Sequence, residues 1–593
     1  MVAVVRCSRH EPETRGECRP PIPLQIFLLG WDLVYHIDDA VNDTLASGPS
    51  PRKTNIGEPT ETMRNFEEPG RSLAMGRNGM AATSHPAATL TAVEILKAGG
   101  TAIDAAVAAC AVQSVVEAGS TGIGGDCFAM VAPLGGTDIR AYNGSGRTPA
   151  AMTLERLRAA GVTAIDRHSP HAVTVPGAVD AWTRLVADHG RLPLNEVFAP
   201  AIAMAREGYV ITPRVSHDLA QQTDLLRRDP TAAATFLVDG EAPAAGTVQT
   251  QPLLADTLEA IGREGPDAFY RGAIAKDMAE SLRAAGGFHS LEDFAGAKGE
   301  YVTPISTDYR GRTIHECPPN GQGIIALMIL NILKRFRPAG DPLDPDSLHV
   351  EIEATRLAYA ARDAFLADPA QTGLSMVEHL LSDALADQLA ARIDPARALE
   401  IGGVFDGVEH KDTVYIAVVD KHRTAVSFIS SIFHPYGSGL MAPRSGVLFH
   451  NRGQSFSLVD GHPNMVAPRK RPMHTIIPGM VTENGRVSLT FGVMGGHYQA
   501  MGHAHFLSKL FDHGLDIQSA IDLPRLFPLP GTRTVEAETA IRTKTGAELA
   551  RRGFTVTAPN WAIGGAQAIA IDWEHGTLLG GSDHRKDGCA LGY

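Results

Sequence analysis

Two apolar, β-branched runs, residues 414–419 and 424–432, flank the polar stretch Asp420-Lys421-His422-Arg423, and no other feature of the chain narrows its fold as much. Runs of this length and composition read as strands, and the polar stretch between them turns the chain into an antiparallel hairpin. A turn centred on His422 sets Thr413 opposite Ser431. Directly opposed residues in a hairpin hold their Cβ atoms about 4.5–5.5 Å apart, so two hydroxyl side chains come within reach of each other. Further short strands are expected over 446–450, 486–491 and 568–571.

Upstream of Thr413 the periodicity differs. Residues 79–83 read as a strand, followed by helices over 87–97 and 102–117, split by Gly99-Gly100. The second helix stops at a glycine-rich turn over 119–125. From about 170 to 400 the period is mostly helical, with segments such as 177–189 and 348–366 between Pro and Gly breaks, and this region reads as scaffold. Residues 1–64 are polar and proline-dotted without a sustained period, which predicts a disordered leader or a misassigned start, with Met63 a candidate initiator.

Composition removes several function classes. The 53 Lys plus Arg against 66 Asp plus Glu give a formal charge of −13, which repels a phosphate backbone and excludes nucleic acid as a partner. Six cysteines without CxxC or zinc-ligand spacing argue against a disulfide framework or a structural metal and fit a reducing, cytoplasmic setting. The most apolar stretches, 23–37 and 323–333, fall short of the roughly 20 apolar residues that a membrane span needs. The first also lacks a signal-peptide cleavage pattern.

The chemistry-bearing residues gather after residue 412. The strand 487–491 runs into Gly492-Val493-Met494-Gly495-Gly496, and a helical stretch begins near Tyr498. Consecutive glycines let backbone N–H groups face a ligand, as an oxyanion hole requires. Taken singly, Thr413, Ser431 and the Gly495-Gly496 pair are an ordinary strand start, a strand hydroxyl and a turn.

Their order, with motifs upstream, resembles the γ-glutamyltransferase family of N-terminal-nucleophile hydrolases from about residue 70 to the end. The resemblance rests on Gly79-Met80-Ala81-Ala82-Thr83-Ser84-His85-Pro86, Gly122-Ile123-Gly124-Gly125, Val175-Pro176-Gly177, Cys317-Pro318-Pro319 and Ser582-Asp583-His584-Arg585. It implies an αββα four-layer sandwich and a precursor that cleaves itself between Asp412 and Thr413. The large (heavy) subunit is then 65–412 and the small (light) subunit 413–593, interleaved in one composite domain, with pairing of two such units into a dimer compatible with the scheme. It further implies Thr413 as nucleophile, Ser431 as the residue aligning its hydroxyl, and Gly495 and Gly496 as oxyanion donors. No cofactor or metal is called for.

The glutamate-binding positions depart from the family pattern. The Arg position falls on Ser145, with Arg147 two residues away. The Asn position is Phe433, the Asp position is Ser455, and the Ser-Ser pair is His474-Thr475. Without a carboxylate at Ser455 a substrate ammonium would lack its counter-charge, at a cost of several kcal/mol when buried. The remaining pattern is similar to the oxamate amidohydrolase-like subgroup. Arg452 and Arg147 are candidates for holding a small carboxylate through a planar guanidinium, and either can equally close a structural ion pair. His474, Thr475, Ser455 and Phe433 complete the candidate substrate-binding set. Asp126 and Cys127 read as shaping the cavity, and His497 and His503 as pocket-lining or structural.

The expectation is therefore a self-processing amidohydrolase for a small carboxylate-bearing amide such as oxamate. γ-Glutamyl transfer or glutathione hydrolysis, a β-lactam side-chain acylase, and an uncleaved non-catalytic binding protein remain as alternatives.

Overall fold

The computed structural model describes residue 67 and residues 70–373, 375–401 and 413–593. The expected leader 1–64, the apolar stretch 23–37 and Asp412 lie outside the described residues. Two seven-stranded sheets dominate, and every neighbouring pair in them is antiparallel. The first runs, edge to edge, through Ala74–Gly76, Thr577–Ser582, Gly565–Asp572, Arg486–Met494, Gly479–Glu483, Arg312–Glu316 and Ile305–Tyr309. The second runs through Cys589–Gly592, Met80–Thr83, Val414–Val419, Ala425–Ser431, Asp126–Ala132, Arg140–Gly144 and Glu300–Val302.

The alternation of side chains along a strand builds the layers. Val414, Ile416 and Val418 face outward into the core formed with helix Ala102–Val116. Tyr415, Ala417 and Val419 face inward and meet Met480, Val487, Met494 and Ile569 of the other sheet. On that sheet's far face Ile314, Val481, Leu489, Phe491 and Val493 pack with helices Gly323–Leu333, Pro345–Phe365 and Gln499–Asp512. The order is helix, sheet, sheet, helix, the αββα sandwich.

Helices Ala102–Val116 and Gly323–Leu333 are buried at every residue, which explains why they lack a polar face. The second of them is the apolar run at 323–333. Among the described residues no helix is long and apolar enough to cross a membrane.

The hairpin has the expected register: Val414 pairs with Ser430 and Val419 with Ala425, on either side of His422. Two expectations are corrected. Residues 446–450 form no strand, only an isolated bridge between Met441 and Leu448. Left-handed backbone at Tyr436, Gly437, Gly439 and Gly446 turns the chain too often for an extended run. The 170–400 region is mostly helical as expected, and its strands Glu300–Val302, Ile305–Tyr309 and Arg312–Glu316 add to both sheets, so scaffold is the part of the reading that is corrected.

The two sheets approach closely at Gly492, where a Cβ would stand 2.3 Å from the ring of Tyr415. Gly492→Ala should therefore destabilise the fold by about 1–3 kcal/mol through overpacking, read as a lower urea midpoint. An unchanged midpoint would show that the sheets have room to spare there.

Candidate active site

Thr413 sits one residue before strand Val414–Val419, 1% exposed. Ser431 ends the neighbouring strand, and the hairpin register carries Thr413 opposite it. The Thr413 hydroxyl donates to Ser431 Oγ at 3.3 Å, and Gln499 Nε2 donates to Thr413 Oγ1 at 3.3 Å. Ser431 Oγ also accepts from the Phe433 backbone N–H at 2.9 Å and from Arg452 Nη2 at 3.4 Å. One hydroxyl thus joins the threonine, a loop amide and a guanidinium.

Phe433 adopts φ +81°, a conformation of order 1–3 kcal/mol above the common wells for a residue with a side chain. The bond from its N–H to Ser431 holds it there, and its ring lies 4.0 Å from the Arg452 guanidinium, within the range of a cation–π contact. Arg452, on the short helical turn Arg452–Ser455, is fully buried. Its Nη1 donates to Thr475 Oγ1 at 2.8 Å, and its Nε has no partner. Among the described residues no carboxylate stands within ion-pair distance of it. Burial pushes its pKa down to about 9, while the charge of Asp126 pulls it up.

Asp126 is the anion of the site. It pairs directly with Ser431 in the sheet, so the two side chains share a face. Its Oδ1 accepts from the Gly146 and Gly177 N–H groups at 2.9 and 3.2 Å, and its Oδ2 from His474 Nε2 at 3.0 Å. Burial would raise its pKa, but His450, His474 and Arg452 together outweigh that and hold it at about 2. His474, fully buried, moves the other way: burial first, then Arg452, depress it to about 3. The ring is neutral, donating from Nε2 to Asp126 and accepting at Nδ1 from the Ile476 N–H at 3.3 Å. Both nitrogens are thereby engaged within the protein.

At the end of strand Arg486–Met494, Gly495 has φ +118° and Gly496 φ +58°. A Cβ on Gly495 would lie 2.9 Å from Gly564 Cα, so no larger residue fits the turn. The Gly496 carbonyl accepts from Gln322 Nε2 at 2.9 Å, and the same amide group donates to the Thr475 carbonyl at 2.8 Å. His497 follows, with its Nδ1 accepting from Arg362 at 2.9 Å and its ring edge-on to Phe433.

The remaining sequence candidates stand apart. Ser455 keeps a buried hydroxyl without a partner, and its carbonyl accepts from Asn464. Arg147, 39% exposed, pairs with Asp368 at 3.2 Å and Glu300 at 3.8 Å and shares no partner with the Thr413 cluster. His503 is structural: Nδ1 bonds Glu316 at 2.6 Å and Nε2 accepts from the Val493 N–H. Gln499, Gln322 and Arg362 escaped sequence reasoning. Their one signal is a polar side chain beside a glycine turn or on an otherwise buried helix face.

Comparison with known proteins places these features in context. The family profile described as gamma-glutamyltranspeptidase matches residues 88–593. The glutathione hydrolase-like YwrD proenzyme of Bacillus subtilis is 35% identical over 535 residues, covering 87% of this chain and 99% of that protein. The oxamate amidohydrolase proenzyme of Klebsiella pneumoniae is 35% identical over 537 residues, covering 88% and 100%. Among solved structures, a cephalosporin acylase from Bacillus halodurans matches with a TM-score of 0.83 at 37% identity, covering 90% of this chain and 99% of its own.

The neutral His474 gives the site a measurable signature. In the unfolded chain this ring protonates below about pH 6.5, whereas in the fold it stays neutral to about 3. Stability is therefore lost as pH falls between those values, at about 1.4 kcal/mol per pH unit for one proton. Urea unfolding of His474→Gln between pH 6 and 4 should show an acid slope shallower than wild type by that amount. Equal slopes would mean that His474 takes up a proton without unfolding.

Proposed function

The chain belongs to the gamma-glutamyltranspeptidase family and is an N-terminal-nucleophile hydrolase, and from that premise we propose that Thr413, freed by self-cleavage after Asp412, hydrolyses a small carboxylate-bearing amide such as oxamate. The observation that carries this reading is the cluster itself. The Thr413 hydroxyl lies 3.3 Å from Ser431 Oγ, which in turn lies 3.4 Å from a buried guanidinium.

A threonine hydroxyl is a weak nucleophile until a base takes its proton. Cleavage converts the Thr413 peptide nitrogen into an α-amine with an ordinary pKa of about 7.7–8.0, suited to that task near neutral pH. Oγ1 then attacks the amide carbonyl while Ser431 and Gln499 hold it in line. The N–H groups of Gly495 and Gly496 stabilise the oxyanion, each worth about 2.7–4 kcal/mol of barrier. The proton passes to the departing amine, an ester forms on Thr413, and water resolves it. In this scheme residues 65–412 and 413–593 are the mature subunits.

Arg452 is the substrate's anion holder in this reading, because it is buried, cationic and has an unpartnered Nε. A γ-glutamyl donor would bring an ammonium as well, and Ser455 and Phe433 offer it no negative charge. The relative from Klebsiella pneumoniae, named for oxamate, supports the choice of test substrate. The four described cysteines, Cys110, Cys127, Cys317 and Cys589, are free thiols, which supports a reducing, cytoplasmic setting.

Wild type should run as two bands on a denaturing gel, and Thr413→Ala as one inactive full-length band. A single band in both would favour a non-catalytic binder. Mature enzyme should release ammonia from oxamate and little chromophore from a γ-glutamyl anilide, and the reverse preference would restore glutathione-type chemistry. Ser431→Ala should lower kcat by about 10²-fold through misalignment, and kcat/KM should rise with pH through the α-amine pKa near 7.7–8.0.

A further inference from the structure

We propose that Asp126 is a positioning residue for substrate recognition: through His474 and Thr475 it fixes Arg452 from behind, so that the guanidinium presents itself to the carboxylate of the donor. The inference rests on the reading of Arg452 as the substrate's anion holder.

Three strands place one polar row across the sheet. Thr413 stands opposite Ser431 and Ser431 opposite Asp126, so nucleophile, aligning hydroxyl and buried anion occupy successive positions on one face. Glycines make that closeness possible. A Cβ at Gly125 would lie 2.5 Å from the Ser431 carbonyl oxygen, and one at Gly124 would lie 2.1 Å from that of Leu448. The strand can begin with a carboxylate beside Ser431 only because the two preceding residues have no side chains.

The carboxylate reaches Arg452 through a continuous set of bonds. Oδ2 accepts a hydrogen bond from His474 Nε2 at 3.0 Å, which orients the His474-Thr475 segment. Thr475 Oγ1 in turn accepts from Arg452 Nη1 at 2.8 Å. Phe433 covers one face of the guanidinium at 4.0 Å, and Ser431 takes Nη2. A cation so enclosed is costly without a nearby negative charge, and Asp126 is the carboxylate whose charge acts on Arg452 against burial. Asp126 does not itself bond the guanidinium, and the buried Nε of Arg452 keeps no partner within the protein. The carboxylate supports the charge without taking a guanidinium N–H itself, while Nη1 and Nη2 bond Thr475 and Ser431.

Oδ1 has a separate duty, tying the Gly146 and Gly177 turns, so the test must separate recognition from folding. In mature Asp126→Asn enzyme the KM for oxamate should rise at least about tenfold while kcat stays within about threefold, with the chain still splitting in two. Asp126→Glu should recover part of the lost affinity. Oxalate binding, measured by calorimetry on mature protein, should weaken by the same factor. In an Arg452→Met background the Asp126→Asn effect on oxalate binding should largely vanish, because both changes remove one interaction.

An unchanged KM and oxalate affinity in Asp126→Asn would overturn the proposal. So would an effect that persists undiminished in Arg452→Met. If Asp126→Asn fails to split or fold, Asp126→Glu and His474→Asn carry the same test, and oxalate affinities equal to wild type in both would overturn it. Oxalate binding that follows this pattern in an enzyme that does not turn over oxamate would sink the amidase reading and leave the Asp126 role standing.

Discussion

The antiparallel register of the second sheet is the constraint on which the site depends. Side chains directly across neighbouring strands share a face, so the pairing of Ser431 with Asp126 and the apposition of Thr413 with Ser431 align three polar groups. A slip of one residue would rotate every one of them to the opposite face. The apolar residues that flank them hold the register. Val414, Ile416 and Val418 belong in the helix-facing core and Tyr415, Ala417 and Val419 in the inter-sheet core, and neither set tolerates the other's surroundings.

Burial then sets the electrostatics. Arg452, Asp126 and His474 are fully enclosed, and a buried charge is tolerated only with compensating partners. The carboxylate accepts from three donors, the Gly146 and Gly177 N–H groups and His474 Nε2, with His450 Nδ1 standing 3.5 Å away. The guanidinium has two hydroxyl acceptors and an aromatic face. The neutral imidazole of His474 lies between them as spacer and as hydrogen-bond donor. A well-satisfied anion beside an under-satisfied cation is what the proposed binding of a second negative group rests on.

Local features of this architecture are legible in the sequence and distant ones are not. The hairpin about His422 announces itself because its strands are joined by four polar residues. The glycine pair at 495–496 does so because left-handed backbone leaves few alternatives. Asp126 reads only as shaping the cavity, since it meets Ser431 through strands some 300 positions apart in the chain. The strands between 300 and 316 are hidden for the same reason: short and set among helices, they are stabilised by pairing with Arg140–Gly144 and Gly479–Glu483. Gln322, Gln499 and Arg362 acquire their meaning from what they touch, which no spacing rule encodes. Arg147 and Arg452 look equivalent as letters. Only packing distinguishes a half-exposed ion pair from an enclosed cation.

The interleaving of the sheets bears on how such a protein can be made. Strands from before and after residue 412 share both sheets: Met80–Thr83 lies between Cys589–Gly592 and Val414–Val419, and Gly479–Glu483 borders Arg312–Glu316. Neither segment alone could close its own hydrogen-bond ladders, and each would present raw edges to any neighbour. Synthesis as one polypeptide therefore acts as an assembly guide, bringing the segments together at unit stoichiometry before any backbone scission, after which the woven strands themselves serve as the fastening.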